Sequence, residues 1–265
     1  MIDGVLMTHP LAKDNLIRSI LRFYCDVEQT GMSSQFYDKF NIRYNISQIL
    51  KCVWKDSNHA RQIVLQSRDS DFFIQFVNLL MNDTTYLLDE ALSKLKEIGP
   101  LQVELERPLE SLSKEEQLQR PEREKLMSNI ERQATSCMSL GNETVHMLRV
   151  LTGNPEIVNP FMANEVIERL AAMLDYNLVK LAGPSCIELK VKAPEKYRFD
   201  PKVLLNDLLV IFINLSHRSE FVQAVARDER SFNEAVFSRA ASILMRNHLF
   251  TTVILKIYDR IKIIL

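Results

Sequence analysis

Glycine is scarce. Only 6 occur in the 265 residues, where ordinary usage of about 7% would supply roughly three times as many. Gly-rich phosphate loops, β-bulges and tight hairpins therefore have little to be built from, and helix is left as the default. No two of the four cysteines, Cys25, Cys52, Cys137 and Cys186, form a C-x-x-C pair. With no secretory signal at the start, they read as reduced intracellular thiols. A long hydrophobic run is also missing. The most apolar stretch, Leu208 to Ile213, falls well short of the roughly 18 residues a membrane span needs. Nor is there an excess of either charge: the net value of -1 excludes an overall basic field that would draw the chain to nucleic acid or acidic lipid.

What is present is ordinary globular material, 46% hydrophobic and 25% charged. At this length about 70 to 75% of the unfolded surface can be buried. Leu16, Ile17, Ile20, Leu21, Phe23, Tyr24 and Val27 recur at three- and four-residue spacing and predict a helix over 11–30, ended by Gly31. A second follows from Gln35, through QFYDKFNIRYNISQILKCVW. Residues 71–81, DFFIQFVNLLM, are apolar nearly all round, which places that helix centrally. Asn82 and Asp83 then interrupt, with Asp83 or Thr84 capping a further helix that Gly99-Pro100 breaks.

From Glu104 to Arg132 the chain is densely charged with both signs mixed, the pattern of a solvated connection or an exposed helical face. Ser113 with Glu116 makes a capping box. One long helix is expected over 121–152, with a fault at Gly141-Asn142. The loop GNPEIVNP precedes an amphipathic helix containing Val166, Leu170, Leu174 and Leu178, stopped by Gly183-Pro184. Asp200 and Pro201 restart the chain as N-cap and first helical residue. Ser231 with Glu234 reads as another capping box, and the last residues are ILKIYDRIKIIL. An apolar face running to the final leucine without a cap suggests a polypeptide that continues and a terminal helix that is sticky in isolation. In all, roughly nine to eleven helices are expected from the periodicity. The expected fold is all-α, an elongated armadillo-like stack of helix pairs. It forms one helical core over 1–265, divisible into sub-bundles 1–106 and 121–265 joined by the charged segment 107–120.

Residues suited to chemistry are few. Cys186, beside a Gly-Pro turn, would need a base to generate thiolate. His146, His217 and His248 are the distant partners, and spacing selects none of them. An unreactive cysteine at a helix end is the simpler reading. His9, His59, His146, His217 and His248 lie too far apart for an H-E-x-x-H site, and no cysteine pair has zinc spacing. Neighbouring Asp89 and Glu90 point in different directions on a helix, so they do not make an acid/base pair. Met81, Met138, Met147 and Met173 sit at core spacing. RDERS, residues 227–231, gathers charge at a turn, as a capped loop or a docking site. No catalytic, cofactor-binding or metal-ligating residue is assigned, and no cofactor.

Several ordered blocks then bring a family into view: FYCDVEQTG, QFYDKFNIRYNI, FVNLLMNDTTYLLDEAL, NETVHML, RLAAMLDYNL, GPSCIELKVKAPEKYRFDPKVLL and VARDERSF. Together they make the chain resemble the core region of the ubiquitin chain elongation factors, the U-box ubiquitin ligases also called ubiquitin conjugation factors. The resemblance implies a helical scaffold that carries a U-box at its C-terminal end. That module holds a charged ubiquitin-conjugating enzyme and extends ubiquitin chains on already ubiquitinated substrates. It further implies location in cytoplasm and nucleus, and cooperation with an AAA segregase ATPase and proteasome shuttle proteins. Those partners feed substrates to the proteasome, some of them extracted from the endoplasmic reticulum.

The Asp-Pro-Leu-Met and Asp-Pro-Val signatures of the U-box have no match in these residues. The variable N-terminal region that engages shuttle proteins is reduced to a few residues at most. Ligase activity is therefore not expected from this chain alone. Gly183-Pro184-Ser185 stands where the family commonly has Gly-Pro-Lys. The alternative is a non-enzymatic armadillo-like adaptor that holds protein partners on a concave face. Neither reading calls for nucleic acid or a membrane span. Residues 181–205, with three prolines, then read as a structural loop between helix pairs, packed down by Leu189, Val191, Tyr197 and Phe199, with ELKVK as a short extended piece.

Overall fold

The computed structural model describes residues 2–30, 36–228 and 230–246. Among them are ten α-helices and four short 3-10 helices, and no strand. The helices are α1 (Ile2–Thr8), α2 (Pro10–Thr30), α3 (Phe36–Val53), α4 (Ser57–Ser67), α5 (Ser70–Leu105), α6 (Lys114–Thr152), α7 (Asn164–Ala182), α8 (Pro201–Leu215), α9 (Ser219–Arg227) and α10 (Glu234–Arg246). The all-α stack of paired helices expected from the sequence is what the chain forms. Gly31 and the ending ILKIYDRIKIIL lie outside the described residues.

Its axis is the antiparallel hairpin of α5 and α6. At 39 residues and about 1.5 Å per residue, α6 alone is about 58 Å long. Helices α2, α3 and α4 pack on one part of this hairpin, and α7 and α8 on another, with α9 against α7 and α10 against α7 and α8. Apolar side chains of nearly every helix join one continuous core.

Two expected breaks are absent. α5 runs without interruption through Asn82-Asp83 and through Gly99-Pro100. Local chemistry loses here to tertiary contacts: Asp83 is buried and spends its carboxylate on α2 and α3, so it caps nothing. Thr84 and Thr85 return their hydroxyls to the carbonyls of Leu80 and Met81. At Gly99 a Cβ would stand 3.0 Å from the carbonyl oxygen of Lys190, so the glycine lets the 183–200 connection approach the helix closely. The fault expected at Gly141 is likewise missing, because α6 is continuous from its Ser113/Glu116 capping box to Thr152. Gly141 faces Leu88, whose Cδ2 would lie 3.0 Å from an added Cβ. It marks a close helix crossing rather than a break.

α10 does not start from a Ser231/Glu234 capping box. Its N-cap is Asn233, whose side-chain oxygen accepts from the amides of Ala235 and Val236 at 3.0 and 3.3 Å, and not Ser231. Asparagine caps as well as serine does. The preceding Phe232 also reaches forward to Phe237, ring centroids 5.7 Å apart, as a hydrophobic staple across the helix start.

The Gly-Pro stretch proves to be a clamp. Residues Pro184–Leu189 and Pro194–Tyr197 are 3-10 turns, so ELKVK is extended only after Leu189. Around the second turn Ala193 and Arg198 adopt left-handed φ values of 49° and 56°, at a cost of roughly 1–2 kcal/mol each. Side-chain contacts hold them there. Gln102 of α5 accepts from the Lys192 amide at 2.7 Å and donates to the Lys192 carbonyl and the Tyr197 hydroxyl. Tyr197 donates to Glu131 of α6 at 2.7 Å, and Asn142 donates to the Arg198 carbonyl at 2.8 Å. Leu189, Tyr197 and Phe199 are buried beneath, with Val191 packed on the core.

Gly183 starts this clamp. A Cβ there would run into the carbonyl of Val179, a backbone atom that cannot swing aside. Gly183→Ala is expected to cost about 1–3 kcal/mol by denaturant titration. Gly4→Ala, where an added Cβ meets nothing within 4 Å, should be neutral or better. Equal effects of the two changes would contradict this account.

Candidate functional site

The face of α5 carrying Asn82, Thr85, Tyr86, Asp89 and Glu90 opens into two adjoining depressions. One, between α3, α5 and α6, is lined by Phe40, Tyr44, Tyr86, Glu90, Cys137 and Leu140. The other, between α5 and α7, is lined by Tyr86, Asp89, Arg169, Tyr176, Asp228 and Arg230. Tyr86 and Glu90 belong to both, so the two form a single groove across the helix. This groove is the candidate site.

Its walls are held by specific pairs. The half-exposed Tyr86 ring lies parallel to Phe40 with centroids 5.8 Å apart. Across α5, Arg169 donates to Asn78 and Asn82 at 2.7 and 2.5 Å. Tyr176 donates to Asp89 at 2.5 Å, and Lys180 stands 3.7 Å from the same carboxylate. Aromatic faces beside paired charges suit contact with polypeptide. No reactive nucleophile comes with them: burial, followed by the charge of Glu90, pushes the Cys137 thiol up to about 11, so it stays protonated near neutral pH.

Helices α3 and α5, which contribute to the groove, also carry a buried ionic cluster that sequence reasoning missed. Arg43 of α3 is fully buried and donates to both oxygens of Asp83 at 2.8 and 3.0 Å. It also donates to the Tyr24 carbonyl and to Glu28 of α2. Tyr24 donates its hydroxyl to Asp83 at 2.5 Å, and its ring lies under the guanidinium, 4.6 Å from carbon to centroid. Burial raises the Tyr24 hydroxyl well above its ordinary value, and the Asp83 charge adds to this, so it remains a donor. For Asp83 itself, burial pushes the carboxyl up and Arg43 pulls it down. Three helices are thereby tied at one point. The spacing of 40 residues between Arg43 and Asp83 gives no signal in a sequence, and Asp83 beside Asn82 reads locally as a helix stop.

Residues singled out from the sequence are dispersed. Cys186 is half-buried, and its sulfur receives Arg239 at 3.8 Å, with no histidine among its hydrogen-bond partners. His146 sits in a narrow apolar cleft with Leu21, Leu50, Trp54 and Met147, its ring 3.4 Å from Arg149. Burial and then Arg149 push it down toward the neutral form. His217 is exposed, and His248 lies outside the described residues. His59 is buried and meets the Leu6 carbonyl at 2.9 Å, while His9 is exposed on α1–α2. No group of three metal-ligating side chains occurs among the described residues. Asp89 and Glu90 diverge, the first to Tyr176 and Lys180, the second to Lys94. Met81, Met138, Met147 and Met173 are all buried. Of RDERS, Asp228, Arg230 and Ser231 line the groove, and residue 229 is outside the described set. No helix of the described residues is long and apolar enough to cross a membrane.

Comparison with known proteins gives the arrangement a family. A family model described as ubiquitin elongating factor core matches residues 1–260. The chain is 41% identical over 250 residues to a ubiquitin conjugation factor E4 of Schizosaccharomyces pombe, covering 94% of this chain and 24% of that protein. It is 44% identical over 238 residues to the E4 ubiquitin-protein ligase UFD2 of Saccharomyces cerevisiae, covering 89% and 25%. A probable ubiquitin conjugation factor E4 of Arabidopsis thaliana is 38% identical over 243 residues, covering 90% and 23%. The chain thus spans about a quarter of the length of these relatives. A match over nearly every residue, on a paired-helix stack, means that this chain belongs to the ubiquitin elongating factor core family.

Proposed function

We propose that this chain is the scaffold of a ubiquitin chain-elongating ligase, fixing geometry while a U-box on a separate module recruits the charged conjugating enzyme. The observation that carries the reading is the family match over residues 1–260, together with relatives named as ubiquitin conjugation factors and a ubiquitin-protein ligase. Its partners are then a ubiquitin-conjugating enzyme, ubiquitinated substrates bound for the proteasome, an AAA segregase ATPase and proteasome shuttle proteins. Its setting is cytoplasm and nucleus, with substrates that include those drawn from the endoplasmic reticulum. Rigidity is what the fold contributes, through a long hairpin braced by the buried Arg43–Asp83 pair from α3 and by the part-buried Tyr197–Glu131 contact from the 194–197 turn.

The test is an elongation assay with purified activating and conjugating enzymes and a mono-ubiquitinated substrate. The chain by itself is expected to leave the substrate unchanged, and a fusion to a U-box to extend it. Extension by the chain alone would move transfer into the helical core and overturn the proposal. Cys186→Ser in the fusion should keep the full rate, since among the described residues the Cys186 sulfur meets Arg239 and no base.

The groove favours a second reading, an adaptor that grips a protein partner. Tyr86→Ala separates the two, because it removes an exposed aromatic anchor without opening the core. An adaptor loses about tenfold in partner affinity, of the order of 1.4 kcal/mol. A purely geometric scaffold keeps its elongation rate.

A further inference from the structure

One buried carboxylate, Asp175, stands apart from every ion pair described above. It lies on α7, is 1% exposed, and neither of its carboxylate oxygens has a hydrogen-bond partner. A carboxylate can accept about four hydrogen bonds, and a buried one that accepts none is strongly disfavoured as an anion. α9 packs against α7, and Asp228 follows it with a buried oxygen, Oδ2, that also lacks a partner.

Several of the charged groups around this seam are engaged elsewhere, Glu220 of α9 standing 3.6 Å from Arg218, while Arg227 and Arg230 flank Asp228 along the chain. On α7 itself Arg169 serves Asn78 and Asn82, and Lys180 stands by Asp89. On α5, Glu90 pairs with Lys94. On α8, Asp207 pairs with Arg149. Arg239 of α10 turns to Cys186, and Glu188 of the Pro184–Leu189 turn to Lys96. What reaches Asp175 besides burial is the like charge of Asp228.

We propose that the seam between α7 and α9 is a protonation-dependent latch, closed while Asp175 is neutral and released when it ionises beside Asp228. Asp228, Arg230 and Ser231 form one wall of the groove, so release of the latch reshapes that groove whatever binds there. The sign follows from linkage. Burial first, and Asp228 second, push the closed-state carboxyl up from 3.8 to about 8. In an opened seam it returns toward 3.8, so between these limits the closed form holds one more proton than the open form. Each pH unit in that window then favours opening about tenfold, and the effect levels off above the closed-state value.

Amide hydrogen exchange on the 265-residue chain tests this. After correction for intrinsic rates, protection within 219–228 should fall about tenfold per unit from pH 5.5 to 7.5 and level off near pH 8. Amides of α5 at Leu87–Leu95 should show no such slope. Asp175→Asn should remove the slope. Asp228→Asn, which leaves Asp175 in place if the first variant fails to fold, should bring the levelling-off to lower pH and shrink the total fall. A flat profile in the unmodified chain, an unchanged slope in Asp175→Asn, or an Asp228→Asn profile identical to the original would each overturn the latch.

Discussion

Asp83→Ala is expected to destabilise the chain by about 3–5 kcal/mol, the range for breaking one side of a buried ion pair. The loss arises less from the missing attraction than from what stays behind: Arg43, fully buried, would keep its charge with the Asp83 oxygens gone and Tyr24 without an acceptor. The remaining pair with Glu28 is partly solvated and screened, and offsets little. At this chain length the thermal midpoint should drop by on the order of 10 °C. The double change Arg43→Met with Asp83→Leu should recover most of that, because it removes both charges and leaves apolar volume in their place. If Asp83→Ala cost under about 1 kcal/mol, the cluster would not be what ties α2, α3 and α5.

Phe212→Ala should cost a comparable amount, about 3–5 kcal/mol. Phe212 of α8 is buried, its ring 5.0 Å from Phe237 of α10 and 6.0 Å from Phe221 of α9. Truncation leaves a cavity that three helices cannot close together, so the loss should show locally. Limited proteolysis of the variant should cut first within α9 and α10 while α2 to α5 remain protected. Phe212 and Asp83 share no partner, so their effects should add within about 0.5 kcal/mol. Strong coupling between them would mean that the two flanks of the hairpin do not behave independently.

The helices whose fate was legible are those where local and tertiary signals agree. The Ser113/Glu116 box starts α6, Asp200 caps α8 with amides of Lys202 and Val203 on its side chain, and Gly183-Pro184 ends α7. In each case the stop or start is written within three or four residues. Where the signals conflict, the fold overrules the neighbourhood. Asn82-Asp83, Gly99-Pro100 and Gly141 all read as interruptions, and all three lie in unbroken helix. Each is explained by something distant: Arg43 and Arg169 for the first, the Lys190 backbone for the second, Leu88 for the third.

The groove was legible only as fragments, because RDERS and the Asp89-Glu90 pair were noticed without the tyrosines that flank them. Tyr86, Arg169 and Tyr176 fall inside the ordered family blocks but carry no local sign of a shared surface, and only the packing of α3, α6 and α7 around α5 brings them together. Sequence alone determined that this chain is a helical stack, since scarce glycine and 3.6-residue periodicity are properties of the chain itself. Its ordered blocks also pointed to the family. Tertiary structure decided where charge is buried and which side chains share a surface. Those outcomes depend on pairs such as Arg43 and Asp83, 40 positions apart, and Tyr176 and Asp89, 87 apart, and no local pattern encodes such distances.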